Sequence, residues 1–261
     1  MVMRKIRLVS CLFMTTCFIG LSFLPVYAGI AIDVDIKDMR PERPLQYRTQ
    51  LIIEGERLKI DTTQLRPGEG KTEVLYDSSQ RVLDFVNHSQ QSYIELDEVV
   101  LFDTIDGLNT VIKFLKKKMG VSDVPPRSVL CQVRETEETR MIATLRSRKH
   151  LILCDGGVRQ EVWVASWDEA GIEKGALEGV RRLSEAYEKV MSNLGRVPLF
   201  REVEYVPTKG LFDIDGFPVA IQHFENGELL YDVQFSAPAE VNPNPSAFLV
   251  PKGYERTWAL D

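Results

Sequence analysis

The chain has 261 residues, of which 44% are hydrophobic and 27% are charged, and its formal net charge at pH 7 is −6. This length suits one or two domains with a sizeable core. The acidic balance argues against nucleic acid as a partner, because phosphate binding needs a positive field, and it disfavours attraction to anionic lipid headgroups.

The N-terminal segment has the three-part pattern of a secretory signal peptide. Arg4, Lys5 and Arg7 form a positive leader, residues 8–24 form an apolar run, and residues 26–28 end it with a small-residue cleavage pattern. The alternative is a membrane anchor. The run is at the short edge for a spanning helix, and Ser, Thr and Pro interrupt it, so the signal peptide is favoured.

Cleavage after Ala28 defines the expected mature chain, a single domain of residues 29–261 in the periplasm. The signal peptide takes away three basic residues and no acidic ones, so the formal charge of −6 becomes about −9. The mature sequence has no second stretch long and apolar enough to span a bilayer. We therefore expect a soluble protein after export.

Residues 29–97 show the period-two alternation of an antiparallel sheet. The segment GIAIDVDIK at 29–37 alternates apolar and polar residues, and similar short runs follow. Turns are predicted at Gly55 and at residues 77–79.

A helical period then replaces the alternation. Asp103 and Asp106 lie early in this run and residues 116–118 are three lysines, which matches the helix dipole. The apolar positions of the predicted first helix include Leu101, Ile105, Leu108 and Ile112.

Strands return between residues 128 and 166, and this part contains both cysteines of the mature chain. Cys131 and Cys154 are expected to form a disulfide, because an even pair in an exported protein usually closes one. The rival is a free catalytic Cys154 assisted by His150. Along a strand those two residues lie roughly 13 Å apart, too far for a hydrogen bond unless a tight turn brings them together.

A second amphipathic helix is predicted from about Ile172 to Leu194, with Gly195 beyond it. Two more strands follow, joined by a hairpin around Asn226-Gly227. His223 precedes that turn and is expected to be half exposed.

The fold class predicted from these elements is α+β, with about ten antiparallel strands and two amphipathic helices. The helices must bury their apolar faces on the sheet, and a sheet of this size tends to curl. A curled sheet with helices across its mouth encloses a cavity.

Six segments of the mature chain occur in the order GIAIDV, LKID, QSYIELD, EVWVAS, GFPVAIQ and FLVPKGYE. Together they resemble an uncharacterised family of exported bacterial proteins that is similar to the LolA/LolB-like lipoprotein carriers. The resemblance covers most of the mature chain and implies a half-barrel covered by helices, with an apolar cavity for acyl chains. The internal cysteine pair and the long second helix depart from the carrier pattern, and shared fold does not establish shared cargo.

The sequence contains no recognisable catalytic or metal-binding motif. His88, His150 and His223 are not at metal-ligand spacing, and neither HExxH, GxSxG nor a phosphate-binding glycine loop occurs. We therefore expect a protein that is not an enzyme and has no metal or cofactor.

Three hypotheses for function follow. The first is a periplasmic, non-catalytic protein that holds a lipid or another apolar ligand, such as a lipoprotein acyl chain, in the half-barrel. The second is a cell-envelope module that binds a protein partner and no ligand, and the third is an enzyme with an unrecognised site. For the first, the predicted ligand-binding residues are Leu101, Ile105, Leu108 and Ile112 on the first helix, and Trp163 on a facing strand.

Overall fold

The computed structural model describes residues 29–40, 45–64, 71–97, 99, 130–194 and 211–257. The predicted signal peptide and most of the predicted first helix, including its four ligand-binding candidates, lie outside these residues. Among the helices of the described residues, none combines the length and the apolar character that crossing a bilayer requires.

Strands make up most of the described chain, and their apolar residues alternate as the sequence predicted. Their bounds are β1 Gly29–Asp38, β2 Leu45–Glu54, β3 Arg57–Gln64, β4 Thr72–Asp77, β5 Val82–Asn87, β6 Ser92–Asp97, β7 Cys131–Ile142, β8 Leu145–Cys154, β9 Gly157–Ala165, β10 Phe217–Glu225, β11 Glu228–Phe235, β12 Ala239–Val241 and β13 Glu255–Arg256.

These thirteen strands form one large, open, curved sheet. The order is β13-β6-β5-β4-β3-β2-β1-β11-β10-β9-β8-β7, and β12 also pairs with β1. All pairs are antiparallel except β13 with β6. The prediction of about ten strands was low partly because β12 and β13 are too short to show an alternation. The two halves of the chain meet where β1 pairs with both β2 and β11.

Two helices follow β9. The first, α1, spans Trp167–Ala170, and the Ser166 side chain caps it by accepting a hydrogen bond from the Glu169 backbone N–H. The second, α2, spans Glu178–Leu194 after a 3₁₀ turn at Lys174–Leu177. The predicted start near Ile172 was therefore wrong by one and a half turns. Gly171 ends α1 in the left-handed region at φ 69°, which separates the two helices.

The hairpin between β7 and β8 contradicts the prediction for this part of the chain. The segment RMIATLRS at residues 140–147 is predicted from the sequence to be one strand, whereas Ala143 and Thr144 form a turn with positive φ at both positions. Such turns favour Asn and Gly, so neither residue signals one. The predicted turns at Gly55 and at Asn226-Gly227 are confirmed.

The main hydrophobic core lies on one face of the sheet, which we call the inner face. Val180 and Leu183 of α2 pack against it, so one of the two predicted covering helices is observed in that role. A second cluster lies around β8 to β10, against Leu211 and Ile214. The main core includes Ile32, Val34, Leu51, Ile53, Leu58, Tyr76, Leu145, Trp163, Phe217 and Val219.

Candidate functional site

Two unbroken rows of apolar side chains run across the inner face from β1 to β6. In each row every residue is paired directly with the next across a strand boundary, and six neighbouring strands span about 24 Å. The first row is Ile32, Leu51, Ile60, Val74, Phe85 and Ile94, and the second is Ile30, Ile53, Leu58, Tyr76, Leu83 and Leu96.

In both rows the fully buried residues lie on β1 to β4, and none of the residues on β5 and β6 is fully buried. Ile32 and Leu58, on β1 and β3, are fully buried, whereas Phe85 on β5 is 42% exposed. The remaining members on β5 and β6 are only partly buried. The exposed end of the rows is therefore a continuous apolar surface, which we call the open wall and define as Val74, Leu83, Phe85, Ile94 and Leu96.

Helix α2 contacts β3 and β4, so it lies over the middle of the rows. Its polar side carries a network of ion pairs in which Arg181 binds both Glu178 and Glu185. Hydrogen bonds from Arg181 and then from Arg182 lower the pKa of Glu178 to about 2. The helix is thus amphipathic, with its apolar side on the core and its charged side in solvent.

The opposite face of β3 to β6 is closed by the C-terminal part of the chain. The Arg57 guanidinium stacks on the Phe248 ring at 4.7 Å. The Tyr254 hydroxyl is hydrogen-bonded to His88 Nδ1 at 2.7 Å, and β13 adds to the edge of β6. Val86, the neighbour of Phe85 on this outer face, is 1% exposed. The C-terminal segment therefore covers the outer face of these strands.

A buried charge cluster also lies beneath the C-terminal segment. The Glu73 carboxylate is bound by Lys59 at 2.8 Å and Lys71 at 3.0 Å. His88 Nε2 lies 3.2 Å from the second Glu73 oxygen without hydrogen-bond geometry. Burial raises the pKa of Glu73, but the hydrogen bonds from the two lysines outweigh it, so the net shift is downward. These paired charges hold the outer face together and offer no apolar surface.

Among the ligand-binding residues predicted from the sequence, Trp163 is the one within the described chain. It lies on β9 in the main core and is 1% exposed. Its contact with a ligand stays a prediction, as do those of Leu101, Ile105, Leu108 and Ile112. Sequence reasoning missed the open wall, although the alternation in VLDFVN and SYIELD would have identified four of its five residues as one face of two strands.

Two further cavities lie near the helices. One of 260 Å³ has a mainly apolar lining that includes Trp167, Leu177 and Phe212. Its volume is below the roughly 300–1,000 Å³ of typical ligand pockets. The other, of 660 Å³, is lined by Arg146, Arg148 and several carboxylates and does not suit an apolar ligand.

The disulfide between Cys131 and Cys154 is confirmed, so Cys154 has no free thiol. The two cysteines face each other in the register of β7 and β8. His223, which was expected to be half exposed, is 6% exposed instead, because it lies on the same face of β10 as Ile221, a member of the second buried cluster. Within the described ranges, no three His, Cys, Asp or Glu side chains group as a metal site requires.

Comparison with known proteins gave matches among solved structures only. No family model matches the chain, and no curated protein matches it. A crystal structure of MucB is similar over 86% of this chain and 58% of its own length, with 9% identity and a TM-score of 0.37. The Pseudomonas aeruginosa MucA/MucB complex is similar over 84% of this chain and 54% of its own, with 8% identity and a TM-score of 0.36.

A LolA superfamily protein from Nitrosomonas europaea is similar over most of both molecules. The match covers 88% of this chain and 92% of that one, with 11% identity and a TM-score of 0.33. This chain spans a little over half the length of the MucB chains that it matches. The resemblance to LolA-like proteins that the sequence predicted is thus also found among solved structures, at low identity.

Proposed function

We propose that the protein is an exported, non-catalytic binding protein of the cell envelope that holds an apolar ligand, such as an acyl chain, against the open wall. The observation that carries this proposal is the exposure of Phe85 within a continuous apolar row whose other face is closed. Contiguous exposed apolar surface on a folded protein commonly marks a ligand or partner site.

Energetics favour an acyl chain over a small apolar molecule. Each methylene removed from water contributes about 0.8 kcal/mol. A chain of roughly sixteen carbons laid along the wall therefore gains about 13 kcal/mol, which leaves binding in the micromolar range after association costs of about 4–5 kcal/mol. A shorter ligand would not repay those costs.

A titration of the mature protein with a fluorescent fatty-acid probe tests the proposal. We expect saturable binding that Phe85→Ser weakens roughly tenfold, because the substitution removes about 1.5–3 kcal/mol of apolar contact at most. Met141→Ser is the matched control, since Met141 is 63% exposed on β7 and outside the wall. It should leave binding unchanged.

The absence of saturable binding at tens of micromolar probe, with circular dichroism showing a folded protein, would refute ligand binding. Equal weakening by Phe85→Ser and Met141→Ser would place the ligand elsewhere. Ile105→Asn extends the test to the helix predicted from the sequence, whose candidates lie outside the described residues.

The second candidate is an envelope module that binds a protein partner through the same wall. The burial of Trp163 favours it, because the side chain expected to line a cavity fills the core instead. Native mass spectrometry of protein purified from the envelope separates the two candidates. Added mass of co-purified lipid supports the ligand, and a bare chain with no probe binding supports the partner.

A further inference from the structure

An arginine stacked on the buried Trp163 has no counter-ion among the described residues. The Arg140 guanidinium carbon lies 3.7 Å from the centre of the Trp163 ring. Arg140 is exposed on β7 and makes no ion pair with any residue in the described part of the chain.

The strand register places Arg140 on the same face as the main core. Arg140 pairs with Ser147, which pairs with Ala165, and Lys149 pairs with Trp163 on the same side of β8 and β9. Arg140 therefore belongs to the inner face, on the opposite arm of the curved sheet from the open wall. By contrast, Arg146 is exposed on the other face of β8.

The charges around Arg140 leave a local positive excess. Lys149 binds Glu161 at 2.8 Å and Glu138 at 3.3 Å, so those carboxylates are already engaged. Arg134 is a further exposed cation on this side of β7, opposite Leu151, and it makes no ion pair with the described residues either.

Stacking prepares Arg140 to bind an anion. The guanidinium uses its flat face on the indole, so its in-plane N–H donors stay free for two parallel hydrogen bonds to a carboxylate or phosphate. The stacking also restricts the Arg140 side chain before any anion is present, so less rotamer freedom is lost when the anion binds. In addition, Trp163 Nε1 is a buried hydrogen-bond donor with no acceptor among the described residues. The surroundings of Arg140 therefore offer more donors than acceptors.

We propose that Arg140, held on Trp163, binds the anionic head, a carboxylate or phosphate, of an amphiphile whose chain extends from this arm across the inner face toward the open wall. This inference rests on the proposed function and specifies its ligand class. Arg140 selects among amphiphiles, while the apolar contacts supply most of the affinity.

The test compares a fatty acid with the fatty alcohol of the same chain length, at neutral pH where the acid is ionised. We expect the protein to bind the acid roughly five- to tenfold more tightly than the alcohol. Arg140→Met keeps a long side chain over the indole and removes the charge, so it should abolish the preference and leave alcohol binding within about twofold. Arg146→Met is the control for net charge and should keep the preference.

Each outcome decides the inference. An acid preference that survives Arg140→Met, or that Arg146→Met removes equally, overturns the role of Arg140. Equal binding of acid and alcohol by the unmodified protein overturns the inference and leaves the proposed function standing, whereas binding of neither overturns both. If the unmodified protein shows no acid preference but binds inorganic phosphate, and Arg140→Met loses the phosphate binding, Arg140 binds a free anion and the inference for the amphiphile head is overturned.

Discussion

At the scale of single residues, Phe85 and Val86 show how one strand presents two different environments. They are consecutive on β5, yet Phe85 is 42% exposed on the inner face and Val86 is 1% exposed beneath the C-terminal segment. The alternation in the sequence places them on opposite faces. It does not say which face is closed, because the covering residues, such as Phe248 and Tyr254, come more than 150 positions later.

This difference in burial predicts that substitutions at the two positions change stability by different amounts. Val86→Ala should lower the free energy of unfolding by about 2 kcal/mol, because it leaves a cavity in a closed interface. Phe85→Ser should change it by about 0.5 kcal/mol or less, as expected for an exposed position. Urea denaturation of both variants measures the two values. A loss at Phe85 as large as that at Val86 would show that Phe85 is a core residue and not part of a binding surface.

His223 predicts a pH dependence of stability. Burial lowers its pKa below the ordinary 6.5, the positive charge of Arg159 adds to that effect, and Glu225 opposes it. The unfolded chain therefore binds a proton at His223 near pH 6.5 while the folded chain resists it, so stability should fall as the pH drops below 6.5. His223→Leu should flatten the profile of unfolding free energy between pH 7 and pH 5. Parallel profiles for the two proteins would contradict the assignment.

At the scale of elements, the β7–β8 hairpin shows where sequence reasoning succeeds and where it fails. The cysteine pair was predictable from compartment and count, and the strands were predictable from alternation. The turn at Ala143-Thr144 was not, since neither residue type favours positive φ. β12 and β13, the last two strands along the chain, depend on tertiary pairing that no local sequence pattern predicts.

The disulfide at the base of this hairpin should contribute substantially to stability. Replacing both Cys131 and Cys154 by serine is expected to lower the free energy of unfolding by roughly 2–4 kcal/mol, because the unfolded chain gains conformational freedom. Thiol titration of the exported protein under denaturing, non-reducing conditions should detect no free thiol. Two free thiols, or an unchanged unfolding midpoint in the double variant, would contradict this role.

At the scale of the whole molecule, the sheet order explains why the open wall was not foreseen. β1 lies at the centre between β2 and β11, and the C-terminal segment crosses to the outer face of β3 to β6. Both features join residues far apart in sequence, so alternation and turn signals cannot supply them. The fold class and the curved sheet were predictable, whereas the face that stays open depends on this long-range arrangement.

Photo-crosslinking most directly tests whether an acyl chain binds on the inner face of the sheet, at the open wall. A fatty acid with a diazirine in its chain is bound to the mature protein and irradiated, and the modified peptides are identified by mass spectrometry. The open wall predicts crosslinks on residues 72–97, reduced by Phe85→Ser and by competition with unlabelled fatty acid. Crosslinks confined to the outer face or to the charged cavity near Arg146, or none that compete, would contradict an apolar ligand on the inner face.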